Sequence, residues 1–210
     1  MKRYFTEFVG TFFLVLTIAL TVLGGSPLAP LAIGVVLTAM VYMGGHVSGA
    51  HYNPAVSLAM LLRRGFDAKD FIPYVASQLL GSMAAALLAA AILGKTFAPA
   101  PGPGVSALSA LLVEVAFTFA LALVVLNVGT AKPIAGNSFY GIAIGFTVMA
   151  GAFAGGGISG GAFNPAVGTG PILIKAWLGG GSLANLWLYL VGPFIGGALA
   201  AAAFRVQETH

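Results

Sequence analysis

The chain has 210 residues, of which 59% are hydrophobic and 7% charged, and it carries a formal net charge of +4. Soluble domains average about a quarter charged residues, so this composition excludes an ordinary water-soluble globular domain and points to a chain immersed in a lipid bilayer. No cysteine is present, which removes disulfides, thiolate metal sites and thiol nucleophiles; the nine basic residues are scattered, which speaks against nucleic acid as a partner.

A membrane span needs roughly 20 apolar residues to cross a hydrocarbon core of about 30 Å. Six stretches qualify, at about 4–23, 30–48, 71–93, 106–128, 138–156 and 183–204. The first follows Met1-Lys2-Arg3, the layout of a secretory signal, but its apolar run continues past Leu23 with no small-residue cleavage site, so it reads as a first span. Between the second and third spans lies Asn53-Pro54-Ala55-Val56-Ser57-Leu58-Ala59-Met60-Leu61-Leu62, apolar but only about half a span long. Its counterpart, Asn164 to about Ile174, lies between the fifth and sixth. An Asn cap followed by Pro starts a helix, because the first N–H groups of a helix have no intrahelical partner. The expected fold class is therefore an all-α membrane protein with six transmembrane helices and two re-entrant half-helices.

The two half-helices open on a repeated motif. Ser48-Gly49-Ala50-His51-Tyr52-Asn53-Pro54-Ala55-Val56 is matched by Ser159-Gly160-Gly161-Ala162-Phe163-Asn164-Pro165-Ala166-Val167 about half the chain later. The repeat extends to Glu7-Phe8-Val9-Gly10-Thr11-Phe12 against Glu114-Val115-Ala116-Phe117-Thr118-Phe119, and to Leu79-Leu80-Gly81-Ser82 against Phe194-Ile195-Gly196-Gly197. A single transmembrane domain made of two halves, about 1–95 and 106–210, is expected. The Pro/Gly-rich loop from Thr96 to Gly104 joins them. Three spans per half is an odd number, so the halves are inverted with respect to each other. Lys2, Arg3, Arg63, Arg64, Lys69, Lys132 and Arg205 fall on one side, leaving Lys95 and Lys175 opposite. The positive-inside rule then places both termini in the cytoplasm and the joining loop outside.

Half-helices entering from opposite faces point their N-termini at each other in mid-membrane. Irregular backbone at that depth is tolerated where it is buried or lines a wet cavity. The carbonyls of Gly49, Ala50 and His51, and of Gly160, Gly161 and Ala162, are candidates to line a polar track. Asn53 and Asn164 cap the half-helices and still have N–H donors to offer a passing oxygen. Two helix N-termini, each equivalent to about half a positive charge, oppose cations and protons. These residues describe a pore for neutral solutes, with no cofactor and no metal.

The paired Asn-Pro-Ala triplets (Asn53, Pro54, Ala55 and Asn164, Pro165, Ala166), each preceded by Ser-Gly, the Glu7 and Glu114 echo, the stretch His46-Val47-Ser48-Gly49-Ala50-His51 and Val191-Gly192-Pro193-Phe194-Ile195-Gly196-Gly197 resemble the aquaporins, or major intrinsic proteins. The resemblance covers nearly the whole chain. It implies six helices and two half-helices, a pore in each protomer, and a homotetramer; the expected location is the plasma membrane (a cell's inner membrane). It also implies that Glu7, Glu114 and His46 brace the re-entrant loops.

The chain departs from the family at its outer constriction. Where most members carry arginine after the second triplet, this chain has Val167; the other constriction positions fall by offset on Ile33, Ala152 and Gly161. All are uncharged and non-aromatic, so a wider and more apolar filter is expected, open to water, hydrogen peroxide, urea and ammonia, with glycerol a further candidate. Gly168 stands where glycerol facilitators have aspartate, Tyr189 looks water-channel-like, and Leu190 replaces an expected tryptophan. Alternatives stand beside this reading. Glu7 and Glu114 are intramembrane carboxylates that a proton-coupled carrier would use, although their symmetric placement favours bracing. His46 is a candidate gate by protonation, and Gly157-Ile158-Ser159-Gly160 has the form of a serine nucleophile turn that would need a histidine base. A closed pore with a structural role is the third reading.

Overall fold

The structure, a computed structural model, describes residues 1–208. Among these residues it consists of eight α-helices: α1 (Lys2–Leu23), α2 (Ala29–Ser48), α3 (Pro54–Leu62), α4 (Ala68–Leu93), α5 (Ala107–Thr130), α6 (Tyr140–Ser159), α7 (Pro165–Trp177) and α8 (Leu186–Glu208). A 3₁₀ turn at Lys132–Ile134 lies between α5 and α6. Six helices (α1, α2, α4, α5, α6 and α8) are long and apolar enough to cross a membrane. The remaining two are half-length: nine residues in α3 and 13 in α7. At 1.5 Å per residue they reach only about 14 and 20 Å, short of a full crossing.

Several helix ends differ from the apolar stretches by a few residues. α6 continues through Gly155-Gly156-Gly157 to Ser159, instead of ending near 156. Glycine costs about 1 kcal/mol per residue in a helix interior, but an unbonded backbone N–H in hydrocarbon costs several, so the helix persists until its partners are supplied by other means. α7 runs on to Trp177, and α8 begins at Leu186, later than 183. Ahead of α8 the Ser182 hydroxyl accepts the Ala184 N–H at 3.1 Å, and the Leu186 N–H bonds to Leu183 O at 3.0 Å, closing a turn that delays the helix.

Packing follows a two-fold pattern. α1 lies against α2 and α4, as α5 lies against α6 and α8; α4 meets α7, as α8 meets α3; α2 and α6 face each other. Glycines set the close crossings. A side chain at Gly196 of α8 would stand 2.5 Å from Val115 O of α5, and one at the equivalent Gly81 of α4 would strike Phe8 O of α1. Gly34 of α2 and Gly145 of α6 likewise meet backbone to backbone. Such small-residue seams let helices approach where no hydrophobic effect drives them together. The two half-helices are thereby enclosed, with Pro54, Ala55, Pro165 and Ala166 all buried.

Candidate functional site

The chain between α2 and α3, and that between α6 and α7, must reverse direction in the interior without regular structure. Each loop does so by a run of left-handed residues. Gly49, Ala50 and Tyr52 have φ of +85°, +51° and +49°; Gly160, Gly161 and Phe163 have +90°, +64° and +49°. For the non-glycine residues this conformation costs about 1–2 kcal/mol each. The surrounding hydrogen bonds hold it in place.

Those bonds come from two fully buried carboxylates. Glu7 accepts the Ser48 hydroxyl at 2.7 Å, the His51 N–H at 3.0 Å, the Tyr52 N–H at 2.6 Å and Gln78 Nε2 at 2.8 Å. Glu114 accepts the Ser159 hydroxyl at 2.7 Å, the Ala162 N–H at 3.0 Å and the Phe163 N–H at 2.6 Å. In each loop a serine hydroxyl also accepts a backbone N–H, that of Ala50 or Gly161, at 3.0 Å. Behind them Tyr74 and Tyr189 donate to Ser48 O and Ser159 O. Every loop N–H from Gly49 to Tyr52 and from Gly160 to Phe163 is therefore consumed. Carbonyls are what the loops have left to offer, the polarity expected of a solute track.

The two asparagines join the halves. Asn53 Oδ1 accepts the Ala55 and Val56 N–H groups at 2.8 and 3.4 Å, capping α3; Asn164 Oδ1 accepts the Ala166 N–H at 2.9 Å, capping α7. Asn53 Nδ2 donates to Phe163 O and Asn164 Nδ2 to Tyr52 O, each at 2.9 Å. An amide has two N–H donors, so after this cross-bond each asparagine keeps one.

A cavity of about 490 Å³ runs along this junction. Asn53 and Asn164 line it, with Ala50, His51, Gly160 and Ala162 of the loops and all four constriction positions, Ile33, Ala152, Gly161 and Val167. Pro54, Ala55, Pro165 and Ala166 do not line it; they form the buried first turns behind the asparagines. Gly49 lines instead a second cavity of about 520 Å³, beside Arg3, His46, Arg64 and Phe66. His51 is the residue shared by both, so it stands where the two meet.

One of the expected braces, His46, is corrected by the structure. Its side chain does not hold the first loop but is exposed on the last turn of α2, where it lines the second cavity. Glu7 holds that loop, with Gln78 of α4 donating to Glu7 and Tyr74 of α4 donating to Ser48 O. Gln78 is not among the sequence candidates, although a lone amide in an apolar span is itself a marker of a buried polar contact. It also donates to Ser57 Oγ at 3.0 Å, which is 3.0 Å from His51 Nδ1. The second half has Ala162, Gly168 and Pro193 at the corresponding places, so this polar cluster belongs to one half only.

Two further features are not visible in the sequence. The joining loop is irregular, as expected, but tied to the helices: Gly102 N–H bonds to Ile158 O at 2.9 Å, and Phe97, Ala98, Pro99 and Ala100 line the main cavity. Gly168, at the position where glycerol facilitators carry aspartate, is pressed against the Tyr189 side chain, leaving no room for one. The nucleophile reading of Ser159 fails on its partners, since its hydroxyl donates to Glu114 and His51, near the corresponding loop of the other half, bonds Ser57. Nor do Glu7 and Glu114 support a carrier: neither lines the cavity, and both are engaged in holding loop backbone.

Six spanning helices, two opposed half-helices and a cavity through their junction define a membrane channel. The sequence profile of the major intrinsic protein family matches residues 1–204. The chain is 37% identical over 223 residues to the glycerol uptake facilitator protein-like 6 of Lactiplantibacillus plantarum, covering all of both proteins. It is 33% identical over 237 residues to the aquaporin AqpM of Methanothermobacter marburgensis, covering 97% of this chain and 96% of the other. Its fold superposes on the X-ray structure of the aquaglyceroporin from Plasmodium falciparum with a TM-score of 0.87, at 23% identity and covering 97% and 94% of the two chains. The chain belongs to the major intrinsic protein family, whose members are passive membrane channels for water and small solutes and not enzymes.

Proposed function

We propose that the protein conducts water and other small uncharged solutes, among them hydrogen peroxide, urea, ammonia and glycerol, while excluding ions and protons. One observation carries this reading: each asparagine spends its oxygen on a helix cap and one N–H on the opposite loop, leaving one donor at the meeting point of two helix N-termini. Donors and positive helix ends at one plane hold a water by its oxygen, interrupt proton hopping along the file, and repel cations. The uncharged constriction of Ile33, Ala152, Gly161 and Val167 supports passage of solutes larger than water.

The same reading takes the halves 1–95 and 106–210 as inverted copies. It places both termini in the cytoplasm of a plasma membrane, and it assembles protomers into a homotetramer through apolar outer faces such as those bearing Phe13, Phe146 and Phe153. Reconstitution with osmotic steps in sorbitol, urea and glycerol tests the conduction. Faster shrinkage than empty liposomes in sorbitol, with reswelling in urea, is expected; shrinkage at the empty-liposome rate would rule the reading out.

A further inference from the structure

We infer that the mouth of the channel on the side of Arg3 and Arg64 binds a small oxyanion of the phosphate class, free or as a lipid headgroup, and that this occupant slows the passage of water. The slowing rests on the channel reading above; the binding does not.

The second cavity, of about 520 Å³, is lined by Arg3, His46, Arg64 and one carboxylate, Asp67. Asp67 is already engaged by Lys69 Nζ at 3.4 Å. Arg3 pairs loosely with Asp70 at 3.5 Å, and a guanidinium has five N–H donors, so most of its fork is left over. Among the described residues Arg64 forms no ion pair. The other arginines nearby are spent. Arg63 binds Glu208 at 2.6 Å and lies over the Phe204 ring, 4.9 Å from its centroid, while Arg205 donates to Leu62 O. Two guanidinium forks and an imidazole around one recess suit an oxyanion with several acceptor oxygens, which arginine grips by paired hydrogen bonds.

The backbone holds Arg64 at this recess against its own preference. Just past α3 the chain turns at Arg64 with φ +63°, closed by the Arg64 N–H on Leu61 O at 3.0 Å and the Gly65 N–H on Met60 O at 3.1 Å. Helices that end in a left-handed residue usually place glycine there, because a side chain is strained in that conformation. Here the glycine stands one residue later, at Gly65, and the strained position carries the arginine. Strain of this kind collects at ligand clamps.

An anion held here does not travel on. The two cavities meet at His51. Its ring packs against Phe66 and Tyr74 at centroid distances of 5.0 and 5.2 Å, and those two rings lie 4.7 Å apart. An oxyanion entering this aromatic neck would shed its water with nothing in exchange. It stays in the recess, on the route by which water reaches the neck.

The test is the protein-dependent water permeability of phosphatidylcholine proteoliposomes, with inorganic phosphate on both sides of the membrane, against chloride at equal osmolality and ionic strength. Millimolar phosphate is expected to lower the rate severalfold and chloride to leave it unchanged. Arg3→Gln and Arg64→Gln should each raise the half-inhibiting phosphate concentration about tenfold, the weight of one charged hydrogen-bonded contact, and Arg64→Lys should raise it less. Arg64→Gly should abolish the response without lowering the melting temperature in detergent, which a merely structural arginine would not allow. Vesicles containing phosphatidylglycerol, without phosphate, separate the two sources: a lowered rate there that Arg64→Gln restores assigns the site to a headgroup, and a lowered rate with phosphate alone assigns it to the free anion.

Equal rates in phosphate and chloride in both lipids, alongside normal water flux, would overturn the inference and leave the channel reading standing. Inhibition as strong in Arg3→Gln and Arg64→Gln as in the unmodified protein would overturn the assignment to this recess. Absence of water flux in every buffer would remove the channel reading and the slowing with it. Calorimetric titration of phosphate into the detergent-solubilised protein then decides the site: saturable heat that Arg64→Gln removes upholds it, and no heat overturns it.

Discussion

Glu7 and Glu114 carry the loops at the scale of single residues. Each of Glu7's oxygens receives two donors, and Glu114 receives two on one oxygen and one on the other. A glutamine at either place turns an NH₂ toward a backbone N–H that needs an acceptor. Leaving such a buried donor unmet costs about 1–3 kcal/mol. Glu7→Gln and Glu114→Gln should therefore lower the thermal stability of the detergent-solubilised protein by about that amount, with Glu7→Gln the worse; unaltered melting in both would contradict the bracing role. His46, exposed and outside this network, should tolerate alanine within about 0.5 kcal/mol in the same assay. The carboxylates were legible in the sequence because an acidic residue is costly in an apolar span, and its recurrence at the same place in each half marks a shared structural task. Gln78 was not, because its partners lie on α1 and α3 and its counterpart, Pro193, breaks the repeat. Val167 was legible through an absence, and its effect is a matter of chemistry: Val167→Arg should narrow the constriction and cut urea flux relative to water about tenfold or more. Equal urea-to-water ratios in the two proteins would place the constriction elsewhere.

At the scale of elements, the half-helices are the units whose docking makes the pore. Asn53 and Asn164 each cap their own helix and tie the opposite loop, so the two mutations share one structure. Replacing either by alanine should cost about 2 kcal/mol, one part cap and one part cross-bond. The double variant should cost less than the sum, since each single change already loosens the junction. Strict additivity in a thermal double-mutant cycle would show that the halves are not coupled there. The glycine seams set a second limit. Gly196→Ala places a methyl 2.5 Å from Val115 O and should cost about 1–3 kcal/mol through overpacking. Helix number, order and approximate ends followed from apolar length and from the Asn-Pro starts, since both reflect local physics. The extension of α6 through three glycines and the inward fold of the Phe97–Ala100 segment did not, because they depend on membrane depth and on tertiary partners such as Ile158.

Across the whole molecule, the two halves contribute equivalent helices, loops and braces but unequal chemistry. The first half brings the His51–Ser57–Gln78 cluster to the shared end of the two cavities. The second half brings Gly161 and Val167 to the main cavity, which the joining loop also lines. The paired motifs stand in the sequence, whereas this asymmetry depends on positions that pair only through space. On the proposed function, the asparagine junction forms an open path for water that protons do not share. Stopped-flow light scattering of proteoliposomes under a sorbitol step, combined with a pH-sensitive dye inside the vesicles, measures both properties at once. Shrinkage well above the empty-liposome rate, with no protein-dependent change in internal pH under an imposed gradient, is the predicted result; shrinkage at the empty-liposome rate, or a proton leak that rises with protein content, would contradict it.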